Sequence, residues 1–233
     1  MAPPTLLLTR PAESAQAFLA SLDQGAVARV RVVVAPLMEI SGTGNTAQVS
    51  EKQSVIFTSA NGVSYAPEGA GRMAYCVGAQ TTQKAISRGW NAQQAGDTAQ
   101  DLIVRLKADP PKGPLLHLAG VHTRGDIAQN LSDVGTPTTH IALYSQSLLP
   151  LSMEAKQALL GRCIVPVFSP RSAAQLVKEA QGNLRNSHII ALSEAVAAVF
   201  PRESTGSMLV LSAPQAVYMR KAVENLCKTL GLP

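Results

Sequence analysis

Hydrophobic and polar positions along the chain fall into a repeating rhythm: a short apolar run, a close in small polar residues, then a stretch with helical spacing. The first unit of it is PTLLLTRP, where the run Thr5 to Leu8 predicts a buried strand stopped by Pro11. In the following AESAQAFLASL, apolar residues return three and four positions apart, the period of an amphipathic helix. VARVRVVVAPLMEI predicts a second strand, broken at Pro36. Strand, helix, strand is how a parallel α/β unit opens.

From Ile40 to Ser54 the composition shifts to Ser, Gly, Thr, Asn and Gln, which predicts an exposed connection. Strand and helix pairs then resume with SVIFTSANGV, MAYCVGAQTTQKAISRG, AQQAGDTAQDLIVRLKA, PLLHLAGVHTRGDIAQNLSDVG and TTHIALYSQS. After a crossing segment and helix in LLPLSMEAKQALLG, the rhythm restarts with CIVPVFSPRSAAQLVKEA, SHIIALSEAVAAVFP and SMLVLSAPQAVYMRKAVENLCKTLG.

These segments pair off. VIFTSANGV matches PVFSPRSAAQLV, YCVGAQTTQKAI matches IIALSEAVAAVF, AGDTAQDLIVRL matches SAPQAVYMRKAV, and LLHLAGVHTRGDIAQNL matches LLLTRPAESAQAFL. The order in the middle block is a cyclic shift of the order in the outer one, as expected if one α/β domain is interrupted by a copy of itself. The predicted organisation is a discontinuous domain of residues 1–35 plus 149–233, and an inserted domain of 36–148 with its flanking linker strands and a core at about 53–140.

Composition narrows the class of ligand. Apolar residues make up 46% and charged residues 15% of the 233, which fits buried strands and opposes disorder. A net charge of +5 favours an anionic ligand. Nucleic acid is a poor fit, because aromatics are few and Lys and Arg are scattered singly. Cys76, Cys163 and Cys227 are odd in number and far apart, so buried thiols are expected in place of a disulfide framework. No run is long enough to span a membrane, and MAPPTLLLTRP lacks the features of a secretory signal, so a soluble protein of a reducing compartment is expected.

Candidate chemistry lies at the carboxyl ends of the strands, where open parallel sheets bind ligands and helix N-termini present unpaired N–H groups. Ser59, Asn61, Ser169 and Ser193 occupy such ends, poised to cap helices and to leave backbone donors for a carboxylate or phosphate. Each alone is an ordinary cap; their number points to a ligand. His117, His122, His140 and His188 show no metal-ligand spacing, so no metal is expected. No G-x-S-x-G elbow is present, and GTGNT at Gly42 neither follows a clean strand nor opens a helix, which marks it as linker. Asp126 and Glu194 read as acids of a first helical turn. Tyr144, in IALYSQS, is expected at a strand end where the chain recrosses between domains. Its phenol is either a proton donor to a leaving oxygen or a partly buried interface group.

In order, LLLTRP, VIFTSANGV, CVGAQTTQKA, AGDTAQDLIVRL, GVHTRGD, LYSQS, VFSPRSAAQL and IIALSEAVAAV resemble the uroporphyrinogen-III synthase family over nearly the whole chain. The resemblance implies two flavodoxin-like (HemD-like) parallel-sheet α/β domains joined by a two-stranded linker, one inserted in the other, with the active site between them. It also implies a cytoplasmic, cofactor-free, monomeric hydro-lyase of tetrapyrrole biosynthesis. The substrate would be hydroxymethylbilane, a polycarboxylate linear tetrapyrrole, with possible hand-over from hydroxymethylbilane synthase. Closure to uroporphyrinogen III loses water and inverts ring D through an azafulvene and a spiro intermediate. Tyr144 matches the family tyrosine proposed to assist departure of the hydroxyl. Thr58, Ser59 and Asn61 match the TSxN turn that binds carboxylates. Thr9 and Arg10 match the N-terminal turn, Ser169 and Arg171 its counterpart in the other domain, and Gly78 the close-approach glycine; Arg124 matches a frequent basic position. Ser193 stands where the family often has Gly, Val196 where it often has Thr, and Ala119 where Arg is frequent. Two other classes compete with this reading. One is a non-catalytic bilobal binder of an acidic metabolite. The other, an FMN-binding flavodoxin relative, is disfavoured by the lack of an aromatic pair for the flavin.

Overall fold

The structure is a computed structural model and describes residues 3–123 and 125–231. Eleven strands and ten helices are assigned among them. The chain divides into two compact units, one of residues 1–39 and 147–233 and the other of 40–146. The divisions fall inside two strands, β3 (Met38–Gly42) and β8 (Thr138–Leu148), whereas the sequence pattern put them at 35/36 and 148/149.

The discontinuous unit holds β1 (Thr5–Leu8), α1 (Ala12–Ala20), α2 (Gln24–Val27), β2 (Arg31–Val34), α7 (Met153–Leu159), β9 (Cys163–Val167), α8 (Pro170–Ala180), β10 (Ser187–Ala191), α9 (Glu194–Ala197), β11 (Ser207–Val210) and α10 (Ala216–Leu230). Its sheet runs β11-β10-β9-β1-β2 with parallel pairing. Every residue of β1 is buried, because helices cover both faces of a parallel sheet. Successive side chains point to opposite faces: Leu6 and Leu8 pack with Phe18, Met219 and Val223, while Leu7 packs with Ala155, Ala173 and Leu176. Burying each of these leucines contributes about 1.5–3 kcal/mol.

The inserted unit holds β4 (Ser54–Phe57), α3 (Ala60–Tyr65), β5 (Met73–Val77), α4 (Ala79–Ser87), β6 (Asn91–Gly96), α5 (Ala99–Ala108), β7 (Leu115–Gly120), α6 (Ile127–Ser132) and most of β8. The sheet order is β3-β8-β7-β4-β5-β6. Val55 and Phe57 face the cluster containing Val63 and Ala85, and Ile56 faces that of Leu102 and Ile127. Both sheets therefore have helices on two sides.

Renumbered within each unit, the strand orders are the same. Taking β1, β2, β9, β10 and β11 as first to fifth gives 2-1-3-4-5, the flavodoxin order. Taking β7, β8, β4, β5 and β6 in those places gives 2-1-3-4-5 again, with β3 added at the edge. The inserted unit thus begins at the third strand, which is the cyclic shift seen between the sequence blocks. In this topology the switch point, where loops diverge to opposite faces, lies between the first and third strands: β1 and β9 in one unit, β7 and β4 in the other.

Two local expectations are corrected. VARV does not begin the second strand: Asp23 accepts from the Gly25 N–H and starts α2, so β2 begins only at Arg31. The Ile40 to Ser54 stretch is no plain exposed connection. Its first residues complete β3, Ala47 and Val49 enter the core, and Thr43 Oγ1 and Asn45 Nδ2 both donate to the Ala142 carbonyl, at 2.8 and 2.9 Å. The Arg72 guanidinium also donates to the Val49 carbonyl, so side chains far along the sequence pin a segment whose own composition is that of a loop.

Candidate functional site

In the inserted unit, β4 delivers Thr58 and Ser59 to the switch point. Ser59 has extended backbone and its Oγ accepts from the Asn61 N–H at 3.2 Å, capping α3. The glycine of SANG is required by packing: a Cβ on Gly62 would come within 2.6 Å of the Leu118 carbonyl oxygen. This close approach seats α3 against β7. Thr58 Oγ1 lies 3.3 Å from Nε2 of His117, a buried residue of β7.

Tyr144 is brought to the same place from β8. In the β7–β8 ladder Ala119 opposes Ala142 but Gly120 opposes Tyr144, so Leu143 is an extra residue in a bulge. A bulge re-aims the side chains that follow it. Leu143 enters the core, while the Tyr144 ring covers Gly120 so closely that a Cβ there would lie 2.8 Å from a ring carbon. The ring also stacks on Tyr65, with centroids 5.7 Å apart, and Tyr65 Oη is tied to the Ile40 carbonyl. Burial pushes the Tyr144 phenol upward, and a hydrogen bond with Ser59 opposes that shift. A serine hydroxyl has one proton and two acceptor lone pairs, so Ser59, which accepts from the Asn61 N–H, can face the phenol as donor or as acceptor.

This placement corrects the expected one. Tyr144 does not end a strand; β8 continues to Leu148, and the side chain is only 6% exposed. Sequence periodicity cannot show the bulge or the long linker strand. Gly78 precedes α4 with φ +75° and ψ 152°, a conformation that is essentially glycine-only, and the space where a Cβ would stand is open. Backbone conformation, then, is what this chain requires of Gly78. Arg124 lies outside the described residues.

In the discontinuous unit the switch point is opened by a proline. Pairing of β1 with β9 ends at Leu6 and Ile164, and Pro166, two residues further, has no N–H to extend it. On the other side, β9 remains paired with β10 to Val167. Thr9 is 2% exposed and its carbonyl accepts from Leu37 N–H, so Arg10 is the group that this turn turns outward. The Arg10 guanidinium sits 4.2 Å above the Phe168 ring, and Phe168 packs edge-on against Phe18. Burial lowers the Arg10 pKa, but an arginine of this kind stays charged at neutral pH. Ser169 caps α8, accepting from Ser172 N–H at 3.1 Å, with Pro170 in the first turn and Arg171 beside it, half-buried. Ser193 precedes the short α9 but makes no side-chain cap bond, contrary to the expected cap. Val196 and Ala119 are both core residues.

Two groups result, one at each switch point: Thr58, Ser59, Asn61 and Tyr144 in the inserted unit, and Arg10, Ser169 and Arg171 in the other. The first offers hydroxyl donors around a buried phenol, the second fixed positive charge beside a helix N-terminus. Tyr65 and Phe168 were not singled out from sequence, His117 was weighed there only as a metal ligand, and Gly120 only as the start of GVHTRGD. Only Phe168 left a sign there, since each copy of the repeat places Phe directly before its hydroxyl turn.

Cys76, Cys163 and Cys227 are buried and unpaired, and burial pushes their thiols up to about 11, 12 and 11, so none is a thiolate at neutral pH. Among the described residues no group of three His, Cys, Asp or Glu side chains is placed to hold a metal, and no helix is long and apolar enough to cross a membrane.

Comparison with known proteins covers both units. The family model described as uroporphyrinogen-III synthase HemD matches residues 26–216. Among solved structures, uroporphyrinogen-III synthetase from Helicobacter pylori matches with TM-score 0.65 and 14% identity, over 96% of this chain and 99% of that one. A mutant uroporphyrinogen III synthase from Thermus thermophilus matches with TM-score 0.54 and 12% identity, over 97% and 99%. No curated protein is significantly similar in sequence. At such identities the structural likeness establishes the fold, and the family match carries the relationship.

Proposed function

The chain belongs to the uroporphyrinogen-III synthase HemD family, whose members are hydro-lyases, and from that premise we propose that it closes hydroxymethylbilane to uroporphyrinogen III with the groups at its two switch points. The observation that carries this assignment to particular residues is the Tyr144 phenol, buried against Gly120 and stacked on Tyr65.

The chemistry asks little of a strong acid. Electron density from the ring A pyrrole expels the hydroxyl and gives an azafulvene. Ring D then attacks through its substituted carbon, and the spiro intermediate fragments and recloses with the ring inverted. A phenol held protonated by burial, beside the Ser59 hydroxyl, suits the donation of a hydrogen bond to the departing oxygen. Such assistance contributes typically about 10²–10⁴ in rate.

Selectivity for the inverted isomer is a positioning task, because the substrate closes without enzyme to the uninverted product. Many modest contacts that fix the polycarboxylate serve that purpose. Ser59 and Asn61 with Thr58, the backbone at Gly78, and Arg10, Ser169 and Arg171 are the assigned carboxylate ligands. Thr9 and Ser193 contribute through their backbones in this reading, the first because its side chain is buried and the second because its hydroxyl has no fixed partner in the cap.

The test is to give purified protein freshly made hydroxymethylbilane, oxidise the products and separate the uroporphyrin isomers. Isomer III in excess over the enzyme-free control is expected. Isomer I alone, from protein shown to be folded, would overturn the synthase assignment and leave a non-catalytic binder of an acidic metabolite.

A further inference from the structure

His117 has no part in the assignment above, yet it lies directly behind it. Ile56, His117 and His140 stand on one rung of three neighbouring parallel strands, so their side chains share a face of the sheet. Thr58, two residues beyond Ile56, returns to that face, where its Oγ1 lies 3.3 Å from His117 Nε2. The His140 ring is 5.4 Å from that of His117, and its Nε2 is 3.2 Å from the Gly120 carbonyl, beneath the Tyr144 ring. His117 is 2% exposed, whereas Thr58 is half-buried and keeps an open side.

Hydrogen-bond polarity then decides how the pair must be arranged. A carboxylate only accepts, so a threonine hydroxyl that binds one must give it the proton. The remaining contact of that hydroxyl must therefore be received by its oxygen. We propose that His117 is a positioning residue, donating its Nε2–H to Thr58 Oγ1 so that the Thr58 proton is directed to a substrate carboxylate. The inference rests on the carboxylate-binding role given to the Thr58 turn. It also requires a proton on Nε2, which a charged ring always carries and a neutral ring carries in only one of its two tautomers. Burial, reinforced by His140, lowers the His117 pKa to about 4, which keeps the ring neutral near pH 7. The tautomer is the demand that remains.

Long-range ¹H–¹⁵N spectra of the wild-type protein read that tautomer directly. The expected result is a neutral His117 with its proton on Nε2 between pH 6 and pH 8 (a range of about two units around neutrality). A proton on Nδ1 would overturn the proposal whether or not the protein turns over substrate, so this readout is separate from the isomer assay. Kinetics supply the second arm. His117→Leu should raise KM for hydroxymethylbilane about tenfold with kcat nearly unchanged, as loss of one charge-assisted contact predicts. His117→Gln, whose amide N–H replaces the Nε2 donor, should restore most of the loss. In a Thr58→Val background, His117→Leu should add nothing. Additive effects of the two substitutions, or an unchanged KM in folded His117→Leu and His117→Gln protein, would contradict a role exerted through Thr58.

Discussion

The two units share one topology and differ in what they place at its switch point. The inserted unit lines its β7–β4 junction with Tyr144, Ser59 and Thr58, and sets His117, itself in ring contact with His140, behind Thr58. The discontinuous unit leaves its β1–β9 junction splayed by Pro166 and sets Arg10 on Phe168 beside the N-terminus of α8. One copy thus gathers hydroxyl and imidazole groups and the other has fixed charge. A duplicated fold brings two equivalent crevices, here diverged at a few residues, and the proposed function gives them different parts of one reaction.

The largest effect on stability should come from the buried histidine. His117 has a folded pKa near 4, below the 6.5 of an unperturbed imidazole, because burial and then His140 oppose its charge. Its contribution is therefore complete above pH 6.5 and is lost as pH falls toward 4, where the unfolded chain takes up the proton first. The shift is worth about 3 kcal/mol over that window. Urea denaturation at pH 7 and pH 4.5 (values chosen at about neutrality and near the lower end of the window) should show a smaller loss for His117→Gln than for wild type. Equal losses would mean that His117 does not titrate in this way.

Gly120→Ala comes next. A Cβ at that position would press on the Tyr144 ring, so overpacking should cost about 1–3 kcal/mol and displace the phenol. Denaturation and isomer III formation should both register it; full stability and activity would show that the ring is not held by this contact. The smallest effects separate two serines that look alike in sequence. Ser169→Ala removes a cap bond and should destabilise by about 1 kcal/mol. Ser193→Ala removes none and should stay within about 0.5 kcal/mol. Equal losses in melting experiments would erase that distinction between the turns.

The difference between what was and was not legible in the sequence follows the range of the interactions. Apolar runs such as TLLL and VIF, ended by Pro11 or by hydroxyl residues, reveal strands because burial on both faces demands continuous hydrophobicity. The cyclic shift of the repeat reveals the strand order, since each matched segment is a whole strand–helix unit. Ser59 and Ser169 were legible as caps because a cap is a local event. Tyr144 was legible as a candidate, but its surroundings were not: the bulge at Leu143, the closeness of Gly120 and the stacking on Tyr65 depend on register between strands distant in sequence. The same holds for His117, whose polar partner comes from the end of β4, and for the 43–53 stretch, pinned by Ala142 and Arg72.

The division of labour proposed for the two units is tested most directly by measuring kcat and KM for isomer III formation in Tyr144→Phe and Arg10→Gln side by side, with folding checked by circular dichroism. Tyr144→Phe should lower kcat about 10²-fold with little change in KM, the behaviour of a group acting on the departing hydroxyl. Arg10→Gln should raise KM about tenfold and leave kcat nearly unchanged, as expected for uniform binding of a carboxylate. Unchanged kcat in folded Tyr144→Phe, or a fall in kcat for Arg10→Gln matching that of the tyrosine variant, would contradict the account.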